Sequence, residues 1–237
     1  MTDPFATYDN RTGRPPGRFV SALGVVLPGI AAVRRQADPY ADIWRDRNRE
    51  AVSAAGQRWI VLGDSMMQGV GATSPDDGLV GQLQRRLARH GHPLTVVNLS
   101  ATGARVPDVI DQQVPVMQAL SSPAETPDLV TVLVGSNDLF GGGRHRAGLP
   151  DAMGRLVDLL PRDSVVCTLP QPRAAARAAN VHLDEAAGDG RLRLVDLRVN
   201  GPKSWKGKLA ADFFHPNDAG YAAMADAFEP VLLAALR

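Results

Sequence analysis

Trp59-Ile60-Val61-Leu62-Gly63-Asp64-Ser65-Met66-Met67-Gln68-Gly69 couples a short apolar run to a turn of small and polar residues. An apolar run of this length ending at glycine reads as a strand, and Asp64 or Ser65 then caps a helix. The same alternation continues down the chain. Leu79, Val80, Leu83 and Leu87 share one face of a helix whose other face carries Gln84, Arg85, Arg86 and Arg89, and Gly91 closes it. Further strands are expected at Leu94–Leu99, Leu129–Val134, Val165–Leu169 and Leu192–Leu197, with helices around 106–120, 149–160, 173–187 and 217–236. Near-continuous apolar strands separated by helices imply a mostly parallel sheet covered on both faces. The expected fold is a three-layer α/β/α sandwich.

In open parallel sheets, functional groups gather beyond the carboxyl ends of the strands. Ser65 follows the first strand, Ser100–Gly103 the second, and Gly135-Ser136-Asn137-Asp138 the third; Asp212-Phe213-Phe214-His215 lies before the last helix. One sheet edge thus receives a serine, an asparagine amide and an Asp/His pair three residues apart. These are the parts with which an enzyme attacks a carbonyl through serine: a nucleophile, a base, a carboxylate that fixes the imidazole, and donors for the oxyanion. Each part alone has a plainer reading. Gly-Asp-Ser is a common strand-to-helix turn, Gly-Ser-Asn-Asp a loop bonded to its own backbone, and Asp212 and His215 an N-cap and a surface histidine. Their joint order, each after a strand or before a helix, makes coincidence a poor account.

Composition narrows the field. A chain of 237 residues, 44% hydrophobic and 22% charged, suffices for one domain with a real core. Lys+Arg 26 against Asp+Glu 25 leaves a net charge of +1, so no nucleic-acid partner is expected. The lone Cys167 lies in an apolar run, cannot form an intramolecular disulfide, and reads as a buried strand residue. Among the five histidines only His215 lies in a motif, so a metal held by Asp64, Asp138, Asp212 and His215 is disfavoured and no metal or cofactor is expected. Residues 1–57 read as an N-terminal extension to a domain at 58–237. Residues 1–18 are polar and read as a flexible lead-in. Phe19–Val33 is apolar, but shorter than the ~20 residues of a membrane span and broken by Pro28-Gly29. It reads as a helix packed on the domain. The alternatives are a weak membrane-surface contact through residues 19–35 or an uncleaved export signal; the expected location is cytoplasmic.

With Gly63-Asp64-Ser65 and Gly69, Gly103 after the second strand, Gly135-Ser136-Asn137-Asp138, and Asp212-Phe213-Phe214-His215, the chain resembles the SGNH hydrolase superfamily, the GDSL-type esterases and lipases. The resemblance covers about residues 58–236 and leaves the extension unexplained. The G-x-S-x-G elbow of the α/β-hydrolases is absent. The resemblance implies Ser65 as nucleophile, His215 as general base and Asp212 as the group that holds its tautomer. It implies an oxyanion hole from the backbone N–H of Ser65, the backbone N–H of Gly103 and the side-chain amide of Asn137. Asp64 and Asp138 read as loop organisers. The implied activity is hydrolysis of a small-molecule ester through an acyl-enzyme, with a carboxylesterase on small or medium acyl groups placed ahead of a thioesterase or a carbohydrate O-deacetylase. A non-catalytic binding module that keeps the fold is the alternative from another class. Around the site, Leu139–Arg146 is expected as a glycine-rich basic flap or a solvated loop, and Met66, Met67, Phe213 and Phe214 as candidates for an acyl pocket, with one or two of the four facing the core instead. Oligomeric state is left open.

Overall fold

The computed structural model describes residues 5, 7–14, 28–120 and 128–237. Its elements are α1 (Pro28–Arg34), α2 (Ala37–Ala51), β1 (Arg58–Gly63), α3 (Ser65–Gln68), α4 (Leu79–Arg89), β2 (Thr95–Asn98), α5 (Val106–Asp108), a π-helical turn (Val109–Gln113) and α6 (Val114–Ala119). There follow β3 (Leu129–Leu133), α7 (Ser136–Leu139), α8 (Gly143–Leu159), β4 (Val165–Cys167), α9 (Ala174–Gly188), β5 (Arg193–Val195), α10 (Leu197–Asn200) and α11 (Asp218–Ala235). The five strands form one parallel sheet in the order β2-β1-β3-β4-β5. This is the three-layer sandwich expected. The order reverses between β1 and β3, where the connections leave on opposite sides and open a crevice at the strand ends.

Alternation along β1 divides the interior into two cores. Trp59 and Val61 pack with Leu79, Leu83 and Leu87 of α4 and Tyr221, Phe228 and Leu232 of α11. Ile60 and Leu62 face the other way, onto Val109, Val114, Leu149, Leu156, Ala179 and Leu183. A fully buried aliphatic side chain of this kind contributes about 1.5–3 kcal/mol. Polar groups buried on β1 are paired: the Trp59 indole N–H donates to Thr131 Oγ1 at 2.8 Å, and Arg58 grips Asp128 through Nε and Nη2 at 3.0 and 2.7 Å. Cys167 is buried, and burial pushes its thiol well above the usual range.

The N-terminal region departs from its expected form. Within the segment read as a flexible lead-in, Phe5 and Tyr8 join the core and Asn10 is buried. The apolar run at 19–33 lies mostly outside the described residues; its end forms α1, where Val33 packs on Tyr40 and Val70. Helix α2 was not foreseen. Gln36, just before it, and Tyr40, Trp44 and Asn48 within it are spaced four apart and so share one face. Gln36 accepts from Gly71 N and donates to Ala72 O, Tyr40 donates to Ala72 O, and Trp44 donates to Gln68 O. Asn48 brackets Asn98, accepting from its N–H and donating to its C=O at 2.7 Å each. Because β2 is an edge strand, these bonds satisfy backbone groups that would otherwise lie open. Among the described residues no helix is long and apolar enough to cross a membrane.

Leu139–Arg146 also differs from expectation. Gly142 adopts an extended conformation and starts α8, its carbonyl accepting from His145 N and Arg146 N, so Arg144, His145 and Arg146 form a first helical turn rather than a flap.

Candidate active site

Ser65 opens α3 directly beyond β1. Asp64 caps that helix: its Oδ1 accepts from Met66 N at 3.0 Å, while its Oδ2 accepts from the Ser136 hydroxyl at 2.7 Å and, at 3.4 Å, from the Asn137 amide. The carboxyl is completely buried, and burial raises its pKa against the pull of these donors. The organising role expected of Asp64 therefore has a physical form: one side chain joins the serine turn to the asparagine turn.

His215 and Asp212 sit on a loop closed at its neck by an antiparallel bridge between Leu209 and Pro216. Ala210 N donates to His215 O and Asn217 N to Lys208 O, and Asn217 then caps α11 by accepting from Gly220 N. Asp212 Oδ1 accepts from the backbone N–H groups of Phe214 and His215, which turns its Oδ2 toward the imidazole. His215 Nδ1 lies 2.5 Å from Asp212 Oδ2, and Nε2 lies 2.9 Å from Ser65 Oγ. Burial works against the Asp212 charge, but the bonds from His215 and the backbone outweigh it and hold the carboxyl below its usual pKa. An ionised carboxylate only accepts, so Nδ1 carries the proton and Nε2 is left to accept from the serine hydroxyl.

Gly71 makes that approach feasible. Its φ is +99°, and a Cβ there would stand 2.4 Å from Pro216 O and 2.7 Å from His215 Cβ. Only glycine lets the loop after Ser65 lie against the histidine loop so closely.

Asn137 stands between Asp64 and Ala104, the neighbour of Gly103. Gly103 has φ +80° and nothing within 4 Å of where a Cβ would be, so that side of its Cα faces open space. The Asn137 amide donates to Ala104 O at 2.9 Å, which ties the third loop to the second and leaves its other N–H held only by the long contact to Asp64. Asp138 turns away and accepts from Val106 N at 3.0 Å; burial raises its pKa to about 6. Aromatic rings form the outer wall. Phe213, at positive φ, is 80% exposed, Phe140 50% and Phe214 38%. Phe214 packs edge-on against both His215 and Phe140, and the Arg173 guanidinium lies 4.8 Å over the Phe140 ring. Of the two methionines among the acyl-pocket candidates, Met67 is buried in the core, as expected for one or two of the four, and Met66 packs against it. Among the described residues no group of three or more His, Cys, Asp or Glu is gathered as a metal ion would require.

A model of the GDSL-like lipase/acylhydrolase family matches residues 61–223. The chain belongs to that family. No curated protein matches it. Among solved structures, TesA superposes with a TM-score of 0.57 at 24% identity over 76% of this chain and 99% of TesA. The family 3 carbohydrate esterase of Clostridium thermocellum gives 0.59 at 20% identity over 77% and 98%. The psychrotrophic esterase EstA from Pseudoalteromonas sp., inhibited by monoethylphosphonate, gives 0.54 at 17% identity over 76% and 99%. These likenesses establish the GDSL fold for this chain.

Two supports of the GDSL site were not read from the sequence. Gln113, in the π-helical turn, accepts from Gly63 N and donates to Gly63 O at 2.8 Å each, fixing the residue before Asp64. A π turn inserted in a helix commonly marks such a site, but a lone glutamine gives no sequence signal. The stripe Gln36, Tyr40, Trp44 and Asn48 did carry one, a four-residue spacing of hydrogen-bonding side chains.

Proposed function

We propose that this protein is a serine hydrolase of carboxylic esters with small or medium acyl groups, working through an acyl-enzyme. The observation that carries the reading is the unbroken hydrogen-bonded line Asp212–His215–Ser65 beyond the carboxyl end of β1. Ser65 Oγ attacks the acyl carbonyl carbon as its proton passes to His215 Nε2, and Asp212 stabilises the imidazolium. The carbonyl oxygen becomes an oxyanion held by the N–H groups of Ser65 and Gly103 and by the Asn137 amide. Collapse breaks the ester C–O bond, and His215 returns the proton to the departing alkoxide. Water repeats the sequence on the acyl-serine, releasing the acid and free enzyme.

Hydrolysis of p-nitrophenyl esters from acetyl to palmitoyl, with wild type beside Ser65→Ala, tests the proposal. Activity that vanishes in the variant, with an optimum at short or medium chains, supports it; equal activity in both refutes the serine mechanism. Asn137→Ala should lower kcat by about 10²–10³ with little change in KM. A second reading is a sugar O-deacetylase. The outward ring of Phe213 offers the flat apolar face on which a pyranose stacks, and the carbohydrate esterase of C. thermocellum shares the fold. Faster turnover of acetylated xylose than of p-nitrophenyl butyrate would favour it.

A further inference from the structure

Residues 8–14 lie outside the family match, yet they run along the loop that carries Gly103. Tyr8 donates its hydroxyl to Leu99 O. Asn10, buried and at φ +61°, donates to Asn98 O at 2.7 Å and Ser100 O at 2.9 Å, and its own carbonyl accepts from Gln68 Nε2. Gln68 Oε1 in turn accepts from the N–H and hydroxyl of Thr102, with which Arg11 forms a parallel bridge. Arg14 ends the run. Its Nη2 donates to Gly103 O at 2.9 Å, and its two terminal nitrogens grip Asp108 at 2.7 and 2.5 Å. Asp108 Oδ2 also accepts from Arg105 N. The segment Ser100–Arg105 is therefore clamped between the serine helix on one side and the N-terminal strap on the other.

We propose that residues 8–14 are a positioning strap for the oxyanion loop, with Arg14 as the residue that fixes Gly103. The inference rests on the assignment of Gly103 as an oxyanion donor. Gly103 has conformational freedom that no other residue has, so a donor built on it needs an external tie to hold its N–H in aim. Arg14 supplies it, because a planar fork can hold a carbonyl and a carboxylate together where a lysine ammonium cannot hold the same geometry. Misplacement of a donor by about 1 Å is enough to cost up to 10²-fold in rate.

The test is steady-state kinetics on a short p-nitrophenyl ester and the rate of labelling by a fluorophosphonate, for wild type, Arg14→Ala, Arg14→Lys and Ser65→Ala, each with its melting temperature. Arg14→Ala should lower kcat and the labelling rate about 10-fold, with KM within about twofold and melting within a few degrees of wild type. Arg14→Lys should recover part of the loss. A folded Arg14→Ala with unchanged kcat overturns the strap while leaving the hydrolase reading intact. A loss confined to KM, or one that follows melting temperature across the variants, also overturns it. A wild type that is no more reactive to the fluorophosphonate than Ser65→Ala overturns the hydrolase reading, and the strap's role with it.

Discussion

Replacing Asp138 by asparagine isolates the cost of one buried charge beside the site. Asp138 is 2% exposed in the wild type, and its carboxyl accepts from Val106 N at 3.0 Å. Burial raises its pKa from 3.8 to about 6, against the pull of that donor and of Arg105. Between those values the native state keeps a proton that the unfolded chain has already lost. Stability from this group is therefore complete below the unfolded pKa and is lost as pH rises through about 6. At 1.36 kcal/mol per unit, a gap of about two units corresponds to about 3 kcal/mol. An asparagine amide carries no charge at any pH, and its oxygen still accepts from Val106 N. The difference in unfolding free energy between Asp138→Asn and wild type should thus be small near pH 4 and grow to about 3 kcal/mol in favour of the variant by pH 8. Urea unfolding followed by tryptophan fluorescence, at constant ionic strength and half-unit pH steps, measures it. A difference independent of pH, or one that grows toward acid, refutes the reasoning.

Three further outcomes follow from contacts described above. Asp212→Asn should lower kcat about 10⁴-fold, because an amide at that place no longer enforces the Nδ1–H tautomer; stopped or steady-state ester assays measure it, and a loss under tenfold would contradict the role. Gln113→Leu strands the buried N–H of Gly63, whose carbonyl keeps the bond from Ala101 N, and should cost about 1–3 kcal/mol in urea unfolding, the penalty of one orphaned group. Gly71→Ala forces a methyl against Pro216 O and His215 Cβ, so it should move the imidazole off Ser65 and reduce fluorophosphonate labelling by more than tenfold; wild-type labelling would contradict the close approach.

The sheet and the residues now aligned at its edge were legible because each strand is a short apolar run ended by a glycine or a polar turn, and each chemical group follows such an end. Ser65, Asp212 and His215 come together as that placement requires, and Asn137 reaches both Asp64 and Ala104, next to Gly103. What stayed hidden depends on partners distant in sequence. Asn10 and Asn48 look like ordinary polar residues until Asn98, 88 and 50 positions away, needs bonds on an open strand edge. Gln113 means nothing until Gly63 lies opposite. The glycines at 141–143 suggested a flap because glycine disfavours helix, yet Gly142 serves as a cap and the helix begins at Gly143. Met67 was ambiguous between pocket and core because a four-residue helix is too short to show a periodicity.

Asp64 carries a consequence for anyone who would retarget this protein. Its two oxygens serve two different loops, so a change at 64, 136 or 137 propagates into both at once, and a mutational library spread over those positions would yield mostly inactive members. Phe140 and Phe213 are in the opposite situation: they stand at the rim, exposed, and neither takes part in the hydrogen-bonded line Asp212–His215–Ser65. Variation confined to those two rings can reshape the approach to Ser65 while the hydrogen-bonded line is left alone, which makes the rim the tractable place for laboratory evolution of new substrate preferences.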